Sequence, residues 1–148
     1  MATIGQNVLP PWDTSRHIVK RSGFAHPTQS GVKRKLGFQC KDGYVTMVLM
    51  GGGDAFLVNS SRAVVRWMAE EGCAPEWLKN FDWANEYDVS RLAQETVDRV
   101  EEPVARFIMT RTQDELWQQS RKRGIALVPV STVKGLAEHP QLQARQAW

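Results

Sequence analysis

The 148-residue sequence predicts one α+β domain in which a three-stranded antiparallel sheet is covered by helices. Two strand-like runs meet at Asp42-Gly43, amphipathic helical patterns follow them, and a short apolar run returns at residues 125–130. A hydrophobic content of 42% is enough for a domain of this size to bury a core. Because an isolated hairpin is only marginally stable, we expect the late strand to pair with it.

Residues 1–34 are predicted to form a basic leader before the sheet. Residues 13–23 suit a short helix, and the following stretch has the Pro and Gly content of a loop. Residues 1–41 hold seven Lys and Arg residues against one acid, whereas the whole chain has a net charge of +3. Such a basic segment is typical of a chain that binds a phosphate-bearing partner, of a segment that lies on another protein, or of a solvated arm. The single short cluster VKRKLGF is too small to indicate nucleic acid, which we do not expect as a partner.

The first two strands are predicted as a hairpin over residues 35–50. Residues 35–41 form the first strand, and residues 44–50, rich in β-branched and aromatic side chains, form the second. Asp42-Gly43 favours the positive φ angles of a two-residue type I′ turn. Three glycines, Gly51–Gly53, are expected to end the second strand.

The middle of the chain is predicted to be helical. A first helix is expected to begin at a cap on Asn59 or Ser60 and to stop at Gly72, and a helical turn is expected at Pro75. An amphipathic helix is expected over residues 88–102. The proline that follows it either kinks this helix or opens another one.

The last elements carry the clearest local signals. Thr112 and Glu115 have the spacing of a helix capping box, and Gly124 is a typical helix stop. Residues 125–130 then predict the third strand, which we expect to be buried on both faces. Pro129 indicates a sheet edge or a strand end, and a short helix is expected to start at Thr132.

Composition limits the classes of site and compartment. Cys40 and Cys73 are too few for a disulfide scaffold and are expected to be free thiols in a reducing cytoplasm. The three histidines stand far apart without acidic or cysteine ligands at metal spacing, so no metal site is expected. No apolar run approaches the 18 residues of a membrane span, and we expect no membrane partner.

No catalytic constellation is visible in the residues themselves. The run Gly51–Asp54 lacks the lysine of a phosphate loop, so a strand exit is the simpler interpretation. The adjacent acids at 70–71 and 101–102 point about 100° apart on a helix, and we expect them on solvated faces rather than in an acid–base pair. Cys40 in mid-strand is interpreted as a packed side chain rather than a nucleophile.

Three segments of the chain resemble the family III CoA-transferases. CKDGYV, residues 40–45, resembles the strand–turn–strand at the start of the family's small domain. TRTQDELW, residues 110–117, resembles the segment that leads into the last strand. KRGIALVPVSTVKGLAEHPQLQAR, residues 122–145, resembles the R-G-I-x-x-x-P-V strand and the P-Q-L-x-x-R close of the family. Order and spacing agree over roughly residues 22–147.

The resemblance implies a particular architecture and chemistry. Family members have a large Rossmann-like domain that holds CoA and a catalytic aspartate, which forms mixed-anhydride and thioester intermediates. They also have a small α+β domain with a three-stranded antiparallel sheet, and two chains interlock. This sequence resembles the linker, residues 1–34, and the small domain, residues 35–148, so no catalytic residue is assigned to it. A CoA thioester is the implied substrate, and no tightly bound cofactor is expected.

The candidate ligand-binding residues follow from position alone. In formyl-CoA transferase a glycine-rich loop before the matching strand covers the active site, and the corresponding stretch here is residues 22–31. In the racemase branch a catalytic glutamate follows the second strand, where this chain has glycines, which argues against a racemase-type site. The candidates are therefore Ser22, Gly23, Gly31, Gly51, Gly52, Gly53 and Asp54.

Two functions from different classes stay open at this point. The first is a truncated or split CoA-transferase chain that supplies a lid and a dimerisation surface, is inactive alone, and acts in a homo-oligomer or with a large-domain partner chain. The second is a non-enzymatic binding module whose basic arm binds a protein partner or an anionic ligand. The residues alone leave undecided whether the chain is an enzyme.

Overall fold

The computed structural model describes residue 23, residues 25–27 and residues 31–146, and these form short strands and helices. The strands are β1 (Ala25–Pro27), β2 (Lys33–Lys35), β3 (Gly37–Cys40), β4 (Gly43–Met47) and β5 (Leu127–Pro129). The helices are α1 (Ala55–Glu70), α2 (Glu76–Lys79), α3 (Gln94–Met109), α4 (Gln113–Arg123), α5 (Val133–Ala137) and α6 (Pro140–Ala144). The helix expected over residues 13–23 lies outside the described residues, except for its last position.

The main sheet has the strand order β3-β4-β5 and is antiparallel throughout. Phe38 lies opposite Val45, and Thr46 lies opposite Val128, so the late strand returns to the hairpin. The α+β class and the three-stranded antiparallel sheet are therefore confirmed, although the strands are shorter than the predicted ranges. A second sheet of β1 and β2, also antiparallel, was not predicted from the sequence.

The turn between β3 and β4 differs from the prediction. Cys40 pairs with Gly43, so the two residues between them form the turn. Neither Asp42 nor Gly43 has a positive φ angle, and the predicted type I′ turn is wrong. The reason is a long-range contact. The Asp42 carboxylate accepts a hydrogen bond from the Gln113 backbone N–H at 2.8 Å, so the start of α4 holds the turn.

The helix α1 begins earlier than the sequence pattern indicated. Asp54 is its N-cap, and the Asp54 carboxylate accepts a hydrogen bond from the Leu57 amide at 3.0 Å. Both predicted caps, Asn59 and Ser60, lie inside the helix. An acidic side chain directly after the glycines is as good a cap as either, and it stands at the first position where the chain leaves the loop.

The helix α3 is continuous from Gln94 to Met109 and contains Pro103. It does not begin near residue 88, because Asp88 folds back on its own segment. The Asp88 carboxylate accepts hydrogen bonds from the Ser90 amide at 3.0 Å and from the Ser90 hydroxyl at 2.6 Å. This local turn replaces the first helical turn that the apolar pattern predicted.

The core lies between one face of the main sheet and the helices α1, α3 and α4. Its largest fully buried side chains include Trp83, Tyr87, Met47, Met68, Leu78, Ile108 and Leu116. On β5, Leu127 is buried but Val128 is 54% exposed, so the expectation that this strand is buried on both faces is wrong. The strand lies at a sheet edge, as Pro129 indicated.

The chain after β5 forms two short helices without buried side chains. Thr132 caps α5 as predicted, by accepting a hydrogen bond from the Gly135 amide at 3.0 Å. Val133 and Leu136 are nevertheless exposed. None of the helices in the described part of the chain has the length and apolarity that a bilayer crossing requires.

Candidate functional site

The strand-exit loop, Gly51–Asp54, joins the second strand to α1 and is held at both ends. The Ser61 hydroxyl accepts a hydrogen bond from the Met50 backbone N–H and donates one to the Met50 carbonyl, both at 2.9 Å. The Gly52 amide donates to the Trp83 carbonyl at 3.2 Å. These bonds fix the base of the loop on α1 and on the aromatic segment that follows α2.

The three glycines of this loop have different environments. A Cβ on Gly51 would lie 2.1 Å from the Trp83 carbonyl oxygen and 2.3 Å from the Tyr87 carbonyl oxygen, so no side chain fits there. Gly52 has a φ of +80°, which favours glycine, although its surroundings are open. Gly53 has neither constraint. Packing and backbone geometry therefore explain two of the three glycines without a ligand.

The other candidate segment, residues 22–31, lies largely outside the described residues, and Ser22 is among those not described. Gly23 and Gly31 are described, with φ angles of +66° and +83°. A Cβ at either position would meet no atom within 4 Å. Glycine is favoured at both positions for its backbone conformation, and a ligand-binding role of the seven candidate residues stays a prediction.

A buried polar cluster, which we define as Arg34, Tyr87 and Glu101, lies beneath β2. Glu101 is 1% exposed and Tyr87 is 1% exposed. Glu101 Oε2, the Tyr87 hydroxyl and the Arg34 Nε and Nη1 atoms are all buried without a hydrogen-bond partner in the described structure. Burial raises the pKa of Glu101 to about 7 and raises the pKa of Tyr87 well above its usual range.

The expectation that both acids at 101–102 lie on a solvated face is therefore wrong for one of them. Glu102 is exposed, but Glu101 shares the buried face of α3 with Val97, Val104 and Ile108. Residues spaced by three, four and seven positions lie on one side of a helix. The same spacing in the sequence could have indicated that Glu101 points inward.

The end of α1 carries an ionic cluster that was also not predicted. Arg111 pairs with Glu71, and Arg123 Nη1 lies 2.6 Å from Glu70 Oε2. The Arg111 and Arg123 guanidinium carbons lie 5.9 and 5.5 Å from the Trp67 ring centre. Each carboxylate thus has its own arginine partner, and the two ion pairs connect the end of α1 to both ends of α4. The two acids do not pair with each other, in line with the expectation from their spacing.

A cavity of about 250 Å³ opens beside this cluster and is mainly polar. Its lining comes from α1, α4 and the residues that join them to α3: Trp67, Glu71, Arg111, Asp114, Glu115, Gln118 and Gln119. Thr112 and Glu115 form the predicted capping box at this place, and the hydrogen bonds to Thr112 lower the pKa of Glu115. The Glu115 carboxylate is therefore occupied in capping.

Both cysteines are free thiols, Cys40 buried and Cys73 exposed. Cys40 is buried, and burial raises the pKa of its thiol. Its sulfur donates to the Asp42 carboxylate at 3.6 Å. Within the described residues, no group of three or more His, Cys, Asp or Glu side chains is arranged to hold a metal ion.

Comparison with known proteins adds the family. The model of "CoA-transferase family III" matches residues 2–148. The chain is 32% identical over 114 residues to the "succinyl-CoA:(R)-benzylsuccinate CoA-transferase subunit BbsE" of Thauera aromatica, a match that covers 74% of this chain and 26% of that protein. A crystal structure of a CAIB/BAIF family protein from Brucella suis has a TM-score of 0.59 at 19% identity, over 98% of this chain and 34% of that one.

The two matches agree on how much of a relative this chain represents. It spans about a quarter of the curated relative's length and about a third of the structural neighbour. At 19% identity, the likeness to the Brucella suis structure shows the fold alone. Because the family model matches all but the first residue, the chain belongs to CoA-transferase family III, as its sequence motifs predicted.

Proposed function

We propose that this chain acts as the small, lid-forming domain of an enzyme that transfers CoA between carboxylic acids. The observation that carries the proposal is the family match over residues 2–148 of a chain that spans only 26% of its transferase relative. In this proposal the catalytic aspartate and the main CoA site are supplied by a large domain, either on a partner chain or on sequence not represented here. The 148-residue chain by itself is then inactive.

Two features of the fold support this assignment. Val128 on the main sheet is 54% exposed, although its side chain is apolar. The helices after β5 expose Val133 and bury no side chain. Exposed apolar surface of this kind is typical of a contact with another domain or chain. A homo-oligomer or a large-domain partner, in the cytoplasm, belongs to the same proposal, as does the division into a leader, 1–34, and a domain, 35–148.

We place the acyl-facing surface at the strand-exit loop, which was a candidate on sequence grounds. Gly51, Gly52 and Asp54 have structural roles there, so the residues available to a ligand are Gly53 and the neighbouring Phe56. Phe56, the second residue of α1, is 64% exposed close to this loop. A large exposed ring beside an unobstructed glycine suits contact with the apolar part of an acyl group.

Calorimetric titration of the pure chain with CoA, at low and at high salt, tests where the CoA site lies. We expect no saturable heat up to millimolar CoA, because the main contacts belong to the large domain. Micromolar binding that persists in salt would contradict the proposal and would assign a CoA site to this chain. Binding that disappears in salt would indicate charge attraction to the basic residues only and leaves the proposed location unchanged.

An activity assay tests the statement that the chain is inactive alone and needs a large domain. The chain is incubated with succinyl-CoA and a carboxylic acid acceptor, and new thioesters are separated by chromatography. We expect no transfer by the chain alone, and transfer when it is mixed with a subunit BbsE variant from which the matching 114 residues have been removed. Transfer by the pure chain, or failure of the mixture while full-length BbsE is active with its native partners, would contradict the proposal.

A binding module is the second candidate, and the charge distribution favours it. Lys33 and Lys35 are exposed on the same strand, in the basic part of the chain. Exposed lysines at alternating positions present their charges on one side of a strand, which suits an anionic partner. Affinity for a polyanion such as heparin that falls steeply with salt, and that a Lys33→Glu, Lys35→Glu double variant removes, would favour this function. Unchanged affinity in the variant would exclude these lysines.

A further inference from the structure

A helix, rather than another strand, closes the outer edge of β2. The Lys33 amide donates to Gln94 Oε1, and Gln94 Nε2 donates to the Lys33 carbonyl, both at 2.8 Å. The Lys35 amide donates to Glu101 Oε1 at 2.9 Å. Gln94 and Glu101 stand two turns apart and therefore on one face of α3. Two helix side chains thus supply the bonds that a neighbouring strand would otherwise make.

We call Gln94 and Glu101 the clamp residues, and their side chains differ in electrostatic state. Gln94 is neutral, and its amide bonds to both backbone groups of Lys33. Glu101 is buried, its second oxygen has no partner, and no ion pair reaches it among the described residues. A buried carboxylate without a paired cation is expensive to ionise. Burial accordingly raises the pKa of Glu101 from 4.5 to about 7, against the effect of the Lys35 amide bond.

The groups around Glu101 come from every element that packs on it. Arg34 and Lys35 on β2 lower its pKa, and Asp98 on α3 itself raises it. Tyr87, on the segment before α3, is neutral over the relevant pH range because its own pKa is raised. The other elements that contact α3 carry the buried thiol of Cys40 on β3 and, on α1, the exposed Arg62 and Arg66 and the arginine-paired Glu70.

We propose that Gln94 and Glu101 are positioning residues that hold the β1–β2 pair on α3, and that docking of the pair takes up one proton at Glu101. When β2 leaves α3, water reaches the Glu101 carboxyl group, which then ionises at its ordinary pKa. The docked state therefore binds a proton between about pH 4.5 and pH 7 that the undocked state has lost. Docking weakens as the pH rises through this window, by up to about tenfold for each pH unit, and is constant above it.

This inference goes beyond the proposed CoA chemistry, because it concerns the attachment of the pair whatever the reaction. It also bears on the candidate ligand segment, since residues 25–27 of that segment form β1. A change in docking would move this strand relative to α3. Its test needs neither CoA nor a partner chain, so its failure and the failure of the proposed function are separate results.

Limited trypsin digestion of the 148-residue chain measures docking directly. Lys33, Arg34 and Lys35 are trypsin sites. The Lys33 and Lys35 side chains are exposed, but cleavage needs a backbone that is free of its hydrogen bonds, so it reports on the state in which β2 has left α3. Lys134 and Arg145 lie in the exposed tail, and cleavage there is an internal standard that cancels the effect of pH on trypsin. The ratio of cleavage at residues 33–35 to cleavage in the tail is read by mass spectrometry at pH 5.5 and pH 8. We expect this ratio to rise at least tenfold at the higher pH.

Two variants separate the roles of the clamp residues. Glu101→Gln has the same size and no titrating group, so its cleavage ratio is expected to be independent of pH. Gln94→Ala removes the two hydrogen bonds to Lys33 and is expected to raise the ratio at both pH values while the pH dependence persists. A wild-type ratio that does not change with pH would overturn the proposal, and so would a Glu101→Gln ratio that rises as much as that of the wild type.

A measurement on the unmodified chain covers the case in which a variant does not fold. The ¹⁵N chemical shift of the Lys35 amide reports on the carboxyl group that accepts its hydrogen bond. We expect this shift to titrate with a midpoint near pH 7. A midpoint near 4.5, or no titration at this amide, would show that docking involves no proton uptake at Glu101.

Discussion

Replacing Gly51 by alanine is expected to be the most damaging single-methyl change in the strand-exit loop. The added Cβ would lie 2.1 and 2.3 Å from two backbone carbonyl oxygens and 2.7 Å from the Tyr87 Cβ. Overpacking costs about 1–3 kcal/mol where side chains can move aside. Here the opposing atoms are largely backbone, so we expect a loss of about 3 kcal/mol or more. For a chain of this size that lowers Tm by roughly 6–12 °C.

The two glycines that follow are matched controls for this change. Gly52→Ala adds the same methyl in open space but at a φ of +80°, which costs about 1–2 kcal/mol. Gly53→Ala meets no neighbour and no strained φ, and we expect it to be neutral or stabilising by about 0.4–1 kcal/mol. Urea unfolding followed by tryptophan fluorescence gives all three values. A Gly51→Ala value within 0.5 kcal/mol of wild type, or below that of Gly52→Ala, would refute this reasoning.

Three further predictions concern stability. Ser61→Ala leaves the Met50 backbone groups without their partner and should cost about 1–3 kcal/mol in urea unfolding; no loss would mean that water replaces the hydroxyl. Thr112→Ala removes the capping box and should cost about 1 kcal/mol, whereas Thr132→Ala, in the tail without buried side chains, should cost nothing measurable, and equal losses would contradict this. Between pH 4.5 and 7 the folded chain holds a proton at Glu101 that the unfolded chain has lost. The unfolding free energy should therefore fall as the pH rises through this range, by at most about 3 kcal/mol. Glu101→Gln should flatten this pH dependence, and an unchanged slope in the variant would assign it to other groups.

Features that depend on a few neighbouring residues could be predicted from the sequence. The capping box at Thr112 and the left-handed stop at Gly124 were both confirmed, because each is complete within one helical turn. The return of the late strand to the hairpin was also predictable, since an apolar run at residues 125–130 has few other ways to satisfy its backbone. These elements are also the ones that carry the family motifs.

Features that depend on distant residues could not be predicted in this way. The turn at Asp42 is set by a carboxylate whose partner, Gln113, lies 71 positions away. The pair of β1 and β2 was missed because its outer edge bonds to Gln94 and Glu101, 61 and 66 positions away. At the turn a helix backbone N–H bonds to the Asp42 carboxylate, and at β2 two helix side chains bond to the strand backbone. Neither long-range contact has a counterpart in hydrophobic periodicity.

The same limit applies to the candidate site. The glycines of the strand-exit loop look alike in sequence, and only the structure shows that Gly51 faces the carbonyls of Trp83 and Tyr87. Those carbonyls come from a segment more than 30 positions later in the chain. Asp54 could be read as a nearby acid of the site, but it is occupied as the cap of α1. Structural roles thus account for Gly51, Gly52 and Asp54, and a ligand-binding role of the four loop residues stays a prediction.

Because Gly51→Ala is expected to destabilise the fold, it would lower CoA transfer by the proposed enzyme whether or not the loop touches a ligand. Phe56 is the position that separates the two explanations, since it is 64% exposed and its truncation removes little buried area. Phe56→Ala is expected to change the unfolding free energy by less than 0.5 kcal/mol, the usual range for surface substitutions. In the mixture that transfers CoA from succinyl-CoA, the same variant should lower kcat/KM. Unchanged kcat/KM at unchanged stability would remove the strand-exit loop from the acyl site and leave residues 22–31 as the remaining candidate segment.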